Sequence, residues 1–113
     1  MISDLTIRTL QASLHGLDAA RRAAEDNIAN VETPGFIANE VDFEESLSDA
    51  VRRGDPLGAE ITTTPSTEPT RLNGNNVAIA DEITGLTDTA LRHQLTVQAL
   101  NAKYALVRTA IGG

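Results

Sequence analysis

Apolar residues recur along the first thirty positions in steps of three and four: Ile7, Leu10, Leu14, Leu17, Ala24, Ile28 and Val31, with Arg21 as the one charged member. That 3.5-residue repeat is the seam of a coiled-coil helix. Alanine is frequent and proline absent until Pro34, so the spacing predicts a helix over residues 1–31. Thr33-Pro34-Gly35-Phe36 ends it. Proline pushes the residue before it out of the helical region, and Pro-Gly suits the centre of a type II turn. The last third repeats the pattern. Ile79, Ile83, Leu86, Ala90, His93, Val97, Leu100, Tyr104, Val107 and Ile111 predict a second helix over residues 79–113, interrupted by nothing stronger than Gly85. Each helix would be about 40–50 Å long at the α-helical rise.

The middle, residues 32–78, follows neither rhythm. Residues 36–41 read as extended. Asp42-Phe43-Glu44-Glu45 has Asp-x-x-Glu capping-box spacing and predicts a short helix with Phe43, Leu47, Ala50 and Val51 on its apolar face. Arg52 and Arg53 suit its last turn and Gly54 its C-cap. Residues 61–64 have strand character, but Pro65 and Pro69 argue against a sheet. Asn73-Gly74-Asn75-Asn76 is a turn. The expected architecture is therefore mainly α: two long terminal helices form an antiparallel coiled-coil hairpin, with a short helix and irregular or extended loops between them, all within one domain over residues 1–113.

Charge follows the same division. The chain of 113 residues has a formal net charge of −7. Nine acids and only three bases fall in residues 32–78, while the two ends are nearly balanced. The acidic middle argues against a nucleic-acid footprint, which needs a basic surface. Aromatic residues make up 3% of the chain, and a two-helix seam is thin, so the fold is expected to gain order by packing against neighbours. The pattern points to a polymer subunit or an adaptor.

Little in the sequence suggests catalysis. Without cysteine there is no thiolate ligand or nucleophile. His15 and His93 lie beside or on the seams and lack metal-ligand spacing. The acids Glu40, Asp42, Glu44, Glu45 and Asp49 are accounted for by the short helix and its start. A carboxylate pair for glycoside cleavage would need an aromatic-lined cleft as well. No enzyme, cofactor or metal site is expected. No apolar run approaches a membrane span, and the first residues lack the apolar core of a secretory signal. Asn27 and Asn30 are poor helix formers, yet they lie within the last turns of the expected helix. Two readings stand for them: fraying and capping of that end, or amide hydrogen bonds across a subunit contact.

The segment Asn27-Ile28-Ala29-Asn30-Val31-Glu32-Thr33-Pro34-Gly35-Phe36 resembles the N-terminal signature of flagellar rod, hook and hook-associated proteins. Val41-Asp42-Phe43-Glu44, then Asn73-Gly74-Asn75-Asn76-Val77 and the ending from Leu106 to Ile111, are similar to the proximal members of the flagellar basal-body rod protein family. The missing insertion between Thr33 and Pro34 favours these over the FlgC type. Ala78 and Ala80 stand where the family usually carries acids, and His93 where it often has an aromatic residue.

The resemblance implies a structural subunit of the rod that crosses the periplasm and cell wall, exported without a cleaved signal peptide. It would polymerise by coiled-coil packing and transmit torque for motility. Implied partners are further copies of the chain, FlgC-type and other rod proteins, the adaptor FliE, the MS ring and the export gate. Residues expected to pack are Leu10, Leu14, Leu17, Ile28, Val97, Leu100, Tyr104 and Val107. The family motif and turn are Asn27, Ile28, Ala29, Asn30, Thr33, Pro34, Gly35 and Phe36, with Asn75, Asn76 and Val77. The alternative is a cytoplasmic coiled-coil adaptor or export chaperone of the flagellar system.

Overall fold

The structure, a computed structural model, describes the backbone of residues 2–112 and side chains from residue 5 onward. Met1 and Gly113, the outer ends of the two expected helices, lie outside the described residues. Helix α1 spans Ile2–Ala29 and α3 spans Ile79–Gly112. Between them come β1 (Asn39–Asp42), α2 (Glu44–Arg52), a 3-10 turn (Pro56–Gly58) and β2 (Thr62–Pro65). The molecule measures 64 × 25 × 14 Å. A body 14 Å thick has almost no interior, and the buried apolar side chains are correspondingly small or sparse: Ala12, Leu17, Ala38, Phe43, Ala50 and Val77.

α1 is the hub, packing on α3, on β1, on the 3-10 turn and on α2. Gln11 Nε2 donates to the Tyr104 hydroxyl at 3.2 Å, and Asn27 Nδ2 donates to Glu82 Oε1 at 3.1 Å. α3 is rich in threonine, a poor helix former. The hydroxyls of Thr84, Thr87, Thr96 and Thr109 each donate to the carbonyl four residues earlier, so the helix satisfies them internally. Arg21, the charged seam member, stays in solvent and pairs with Asp18 and Glu25 on its own helix.

Three local expectations need correction. α1 ends at Ala29 rather than Val31. Asp42 does not cap α2; Phe43 takes the N-cap position with no side-chain cap bond. The reason is that β1 holds Asp42 extended opposite Thr62, whose hydroxyl donates to the Asp42 carbonyl. The strand at the Thr-rich stretch does pair: β1 and β2 form an antiparallel two-stranded sheet with Asn39 opposite Pro65 and Val41 opposite Thr63. Pro65 is tolerated because it closes an edge strand.

Phe43 also fixes how closely α2 approaches α1. Its ring lies on Gly16, in mid-helix, where an added methyl group would overlap the ring. Glycine in a helix interior normally costs about 1 kcal/mol relative to alanine. Gly16→Ala is nevertheless expected to destabilise the chain by about 1–3 kcal/mol through overpacking. Gly85→Ala in α3, where a Cβ meets nothing within 4 Å, is expected to stabilise it by up to about 1 kcal/mol. Urea unfolding of the two variants checks this pair; shifts of the same sign would contradict the Phe43 contact.

The seam closes unevenly. Leu17 is buried, and Ile7, Leu10, Leu14, Ile28, Leu86, Val97, Leu100 and Val107 are half-buried. Tyr104 is 37% exposed, and Ile79, Ile83 and Ile111 at the ends of α3 are more exposed still. Leu91, Leu95 and Leu106 are also exposed, about 100–180° around α3 from Leu100 and Val107 at 100° per residue, with Leu95 on the flank beside Leu17 and Phe43. α3 thus carries a second apolar stripe that the seam reading does not contain.

Candidate functional site: an asparagine clasp at the end of the first helix

A helix leaves its last carbonyls without intrahelical partners. At the end of α1 these groups are met from a distant part of the chain. Asn75 Nδ2 donates to the carbonyls of Asn30 and Thr33, both at 2.8 Å. Its Oδ1 accepts from the Val77 backbone N–H at 2.7 Å. Arg71 reaches the same end: one guanidinium nitrogen donates to the Val31 carbonyl at 2.7 Å and the other to the Val77 carbonyl at 2.6 Å. A cation at a helix C-terminus also opposes the negative end of the helix dipole.

Two further asparagines serve as rungs where the backbone ladder stops. A side-chain amide carries one acceptor and a donor group, like a peptide. Asn27 Oδ1 accepts from the Asn39 N–H and its Nδ2 donates to the Asn39 carbonyl, both at 2.9 Å. Asn76 Oδ1 accepts from the Ala38 N–H at 2.7 Å, while its Nδ2 donates to the Glu68 carbonyl at 3.0 Å. Asn27, Asn75 and Asn76 are all buried, and each has its amide engaged, as buried polar groups require. Asn30 is only half-buried; its amide donates to the Asp26 carbonyl one turn back.

The turn between these segments depends on two glycines. Phe36 N–H donates to the Thr33 carbonyl and Gly35 has φ +74°, the geometry of a type II turn with Pro34 at its first central position. Gly35 N–H donates to the Asn73 carbonyl at 2.8 Å. Gly74, at φ +82°, backs onto Gly35, so a Cβ there would lie 3.3 Å from the Gly35 Cα.

Residues 27–36 and 73–77, some forty positions apart in sequence, are therefore one structural unit. Of the motif residues, Asn27, Asn75, Asn76 and Val77 are buried, Ile28, Asn30 and Phe36 half-buried, and Ala29, Thr33, Pro34 and Gly35 exposed. Sequence reasoning missed Arg71, Asn39 and Glu82. The signal for Arg71 was present, as it is the only base between Arg53 and Arg92 in a strongly acidic stretch.

Glu82 ties the clasp to the first turn of α3 through Asn27. Partial burial pushes its carboxyl above the usual carboxylate range, and Glu40 and Asp81 add like charge, while the Asn27 amide opposes the shift. A carboxyl whose folded pKa is raised costs stability only when ionised. That cost is absent at acid pH and is felt as pH rises from the usual carboxylate range through the raised folded value. Glu82→Gln keeps an oxygen to accept from Asn27. It is expected to be more stable than the wild type at neutral pH and to lose that part of the pH dependence. Urea midpoints measured at mildly acid and neutral pH check it; identical pH dependence in the two chains would contradict it.

Among the described residues no group of three or more His, Cys, Asp or Glu side chains gathers to hold a metal ion, and no helix is long and apolar enough to cross a membrane. The arrangement is two helices with partly apolar sides, joined at a hydrogen-bonded end.

No protein-family model matches the chain. Its sequence is 25% identical over 121 aligned positions to the flagellar basal body rod protein FlgB of Bacillus subtilis, covering 96% of this chain and 94% of the relative. It is 26% identical to the proteins of the same name in Escherichia coli and Shigella flexneri, covering 88% of this chain and of each relative. Over most of its length the chain is thus similar to flagellar basal-body rod proteins FlgB, in line with the resemblance carried by residues 27–36 and 73–77.

Proposed function

We propose that the chain is a structural subunit of the flagellar basal-body rod, in its proximal part, and has no catalytic role. The observation that carries this reading is the clasp. The two segments on which the family resemblance rests form one hydrogen-bonded unit, in a chain similar over most of its length to proteins named as rod components. A buried hydrogen-bonded end holds two helices rigidly without enclosing a site for chemistry.

In this reading residues 1–113 form a single rod-protein domain, with α1 and α3 as an antiparallel coiled-coil hairpin. Contacts far apart along the helices support that arrangement: Gln11 meets Tyr104 towards one end, and Asn27 meets Glu82 at the other. Leu10, Leu14, Leu17, Ile28, Val97, Leu100, Tyr104 and Val107 pack the hairpin. Copies then assemble through the apolar surface it leaves exposed, which includes Leu91, Leu95, Leu106 and Ile111. Large apolar side chains left exposed along one helix suit a subunit that is covered in its assembly. The polymer transmits torque because its subunits are rigid and closely packed. Further rod proteins of the FlgC type, the adaptor FliE, the MS ring and the export gate are its neighbours, and the chain reaches them by flagellar export.

A strain of the source bacterium lacking the chain is expected to be non-motile and to lack hook–basal bodies in electron micrographs, with both restored by the gene in trans. Normal swimming and normal basal bodies in the deletion strain would overturn the proposal.

A further inference from the structure

The loop that supplies the clasp carries the dipeptide Asn73-Gly74. Asparagine followed by glycine is the pair most open to attack of the next backbone nitrogen on the side-chain amide, because glycine has no Cβ to shield its nitrogen. Gly74 N would bond to Asn73 Cγ, the Cγ–Nδ2 bond would break, and ammonia would leave with the proton from Gly74 N. Water then opens the cyclic imide at either carbonyl, giving aspartate or isoaspartate.

The attacking nitrogen, the oxygen of the side-chain amide and the peptide unit between them are each held in a hydrogen bond. Gly74 N–H donates to the Arg71 carbonyl at 2.9 Å, so the attacking nitrogen is engaged. Asn73 Oδ1 accepts from the Asn75 N–H at 3.1 Å, which fixes the amide towards residue 75. The Asn73 carbonyl accepts from Gly35 N–H at 2.8 Å, tying down the peptide unit that has to rotate for the ring to close. Gly74 also backs onto Gly35, where even an added Cβ would lie 3.3 Å from the Gly35 Cα.

We propose that Asn73 is a site of spontaneous deamidation and isomerisation that the clasp keeps closed. In the folded chain the amide persists; in an unfolded or locally opened chain it is lost. Isoaspartate adds a methylene to the main chain between Arg71 and Asn75. The two side chains that meet the end of α1 can then no longer both reach it, so the reaction prevents the clasp from re-forming. This inference concerns the chemistry of the loop and is independent of where the chain works.

The test incubates the full-length chain at mildly alkaline pH in buffer and in guanidinium chloride. Conversion at residue 73 is followed by peptide mass mapping and by isoaspartate-specific methyl labelling. Conversion in buffer should be slower by about tenfold or more, since it has to wait for local opening. Arg71→Ala leaves the reacting pair intact and should speed conversion in buffer while the far-UV helical signal is retained; if that variant loses its helix, the wild-type comparison decides. Converted chain returned to buffer should lack hydrogen-exchange protection at the Val77 amide. Equal rates in buffer and denaturant, or unchanged Val77 protection after conversion to isoaspartate, would overturn the proposal.

Discussion

Replacing Asn75 by alanine is expected to remove a large part of the stability of the chain. The side chain is fully buried and serves three backbone groups: the Asn30 and Thr33 carbonyls and the Val77 N–H. Leaving a buried polar group without a partner costs about 1–3 kcal/mol, so the total loss is about 3–5 kcal/mol after partial relaxation. Domains of ordinary size have only about 5–15 kcal/mol in all. Asn75→Asp sharpens the test. It keeps an acceptor for the Val77 N–H, yet as a carboxylate it faces two carbonyl oxygens with no proton to donate. Its folded pKa is therefore raised, and its stability should recover as pH falls, because the protonated acid regains one donor. Urea unfolding followed by far-UV circular dichroism, at neutral and acid pH, measures both. A wild-type midpoint for Asn75→Ala would mean that the clasp is not what joins the two segments.

Leu17→Asp should be as damaging, for a different reason. Leu17 is 6% exposed and lies where three helices meet. Phe43, Leu47 and Leu95 line the groove on one side of it, and Thr89, Ala90 and His93 the groove on the other. Losing a buried leucine side chain costs about 2–5 kcal/mol before any penalty for the carboxylate. The substitution is expected to prevent assembly and abolish swimming in a complemented deletion strain. Leu17→Met, close in volume, should cost less than about 1.5 kcal/mol and swim normally. Swimming in the aspartate variant would contradict the packing role of this position; failure of the methionine variant would point to an effect other than burial.

The sequence revealed the helices and concealed the clasp, and the difference is physical. α1 and α3 announce themselves through a three–four spacing that any helix with one packed side must carry. The Asn75 contacts join positions 45 and 42 residues apart through side-chain amides and main-chain carbonyls, and such contacts leave no period to read. Asp42 satisfied a capping-box spacing, but its backbone was claimed by the ladder with Thr62. Pro65 argued against a strand that in fact needed no further partner beyond β1. On α3, counting one seam hid the second apolar stripe at Leu91, Leu95 and Leu106, because a helix apolar on two sides has no single preferred face. The asparagines at the end of α1 illustrate the limit well. Their placement was conspicuous, and what Asn27 bonds to, Asn39 and Glu82, required the fold.

The central claim is that this chain is built into the rod. The most direct measurement is mass spectrometry of hook–basal bodies purified from the source cells. The account predicts that the chain is recovered in the detergent-resistant rod fraction together with other rod proteins. Its absence there, with the chain found soluble in the cytoplasm of flagellated cells, would contradict the account and favour an adaptor or export chaperone.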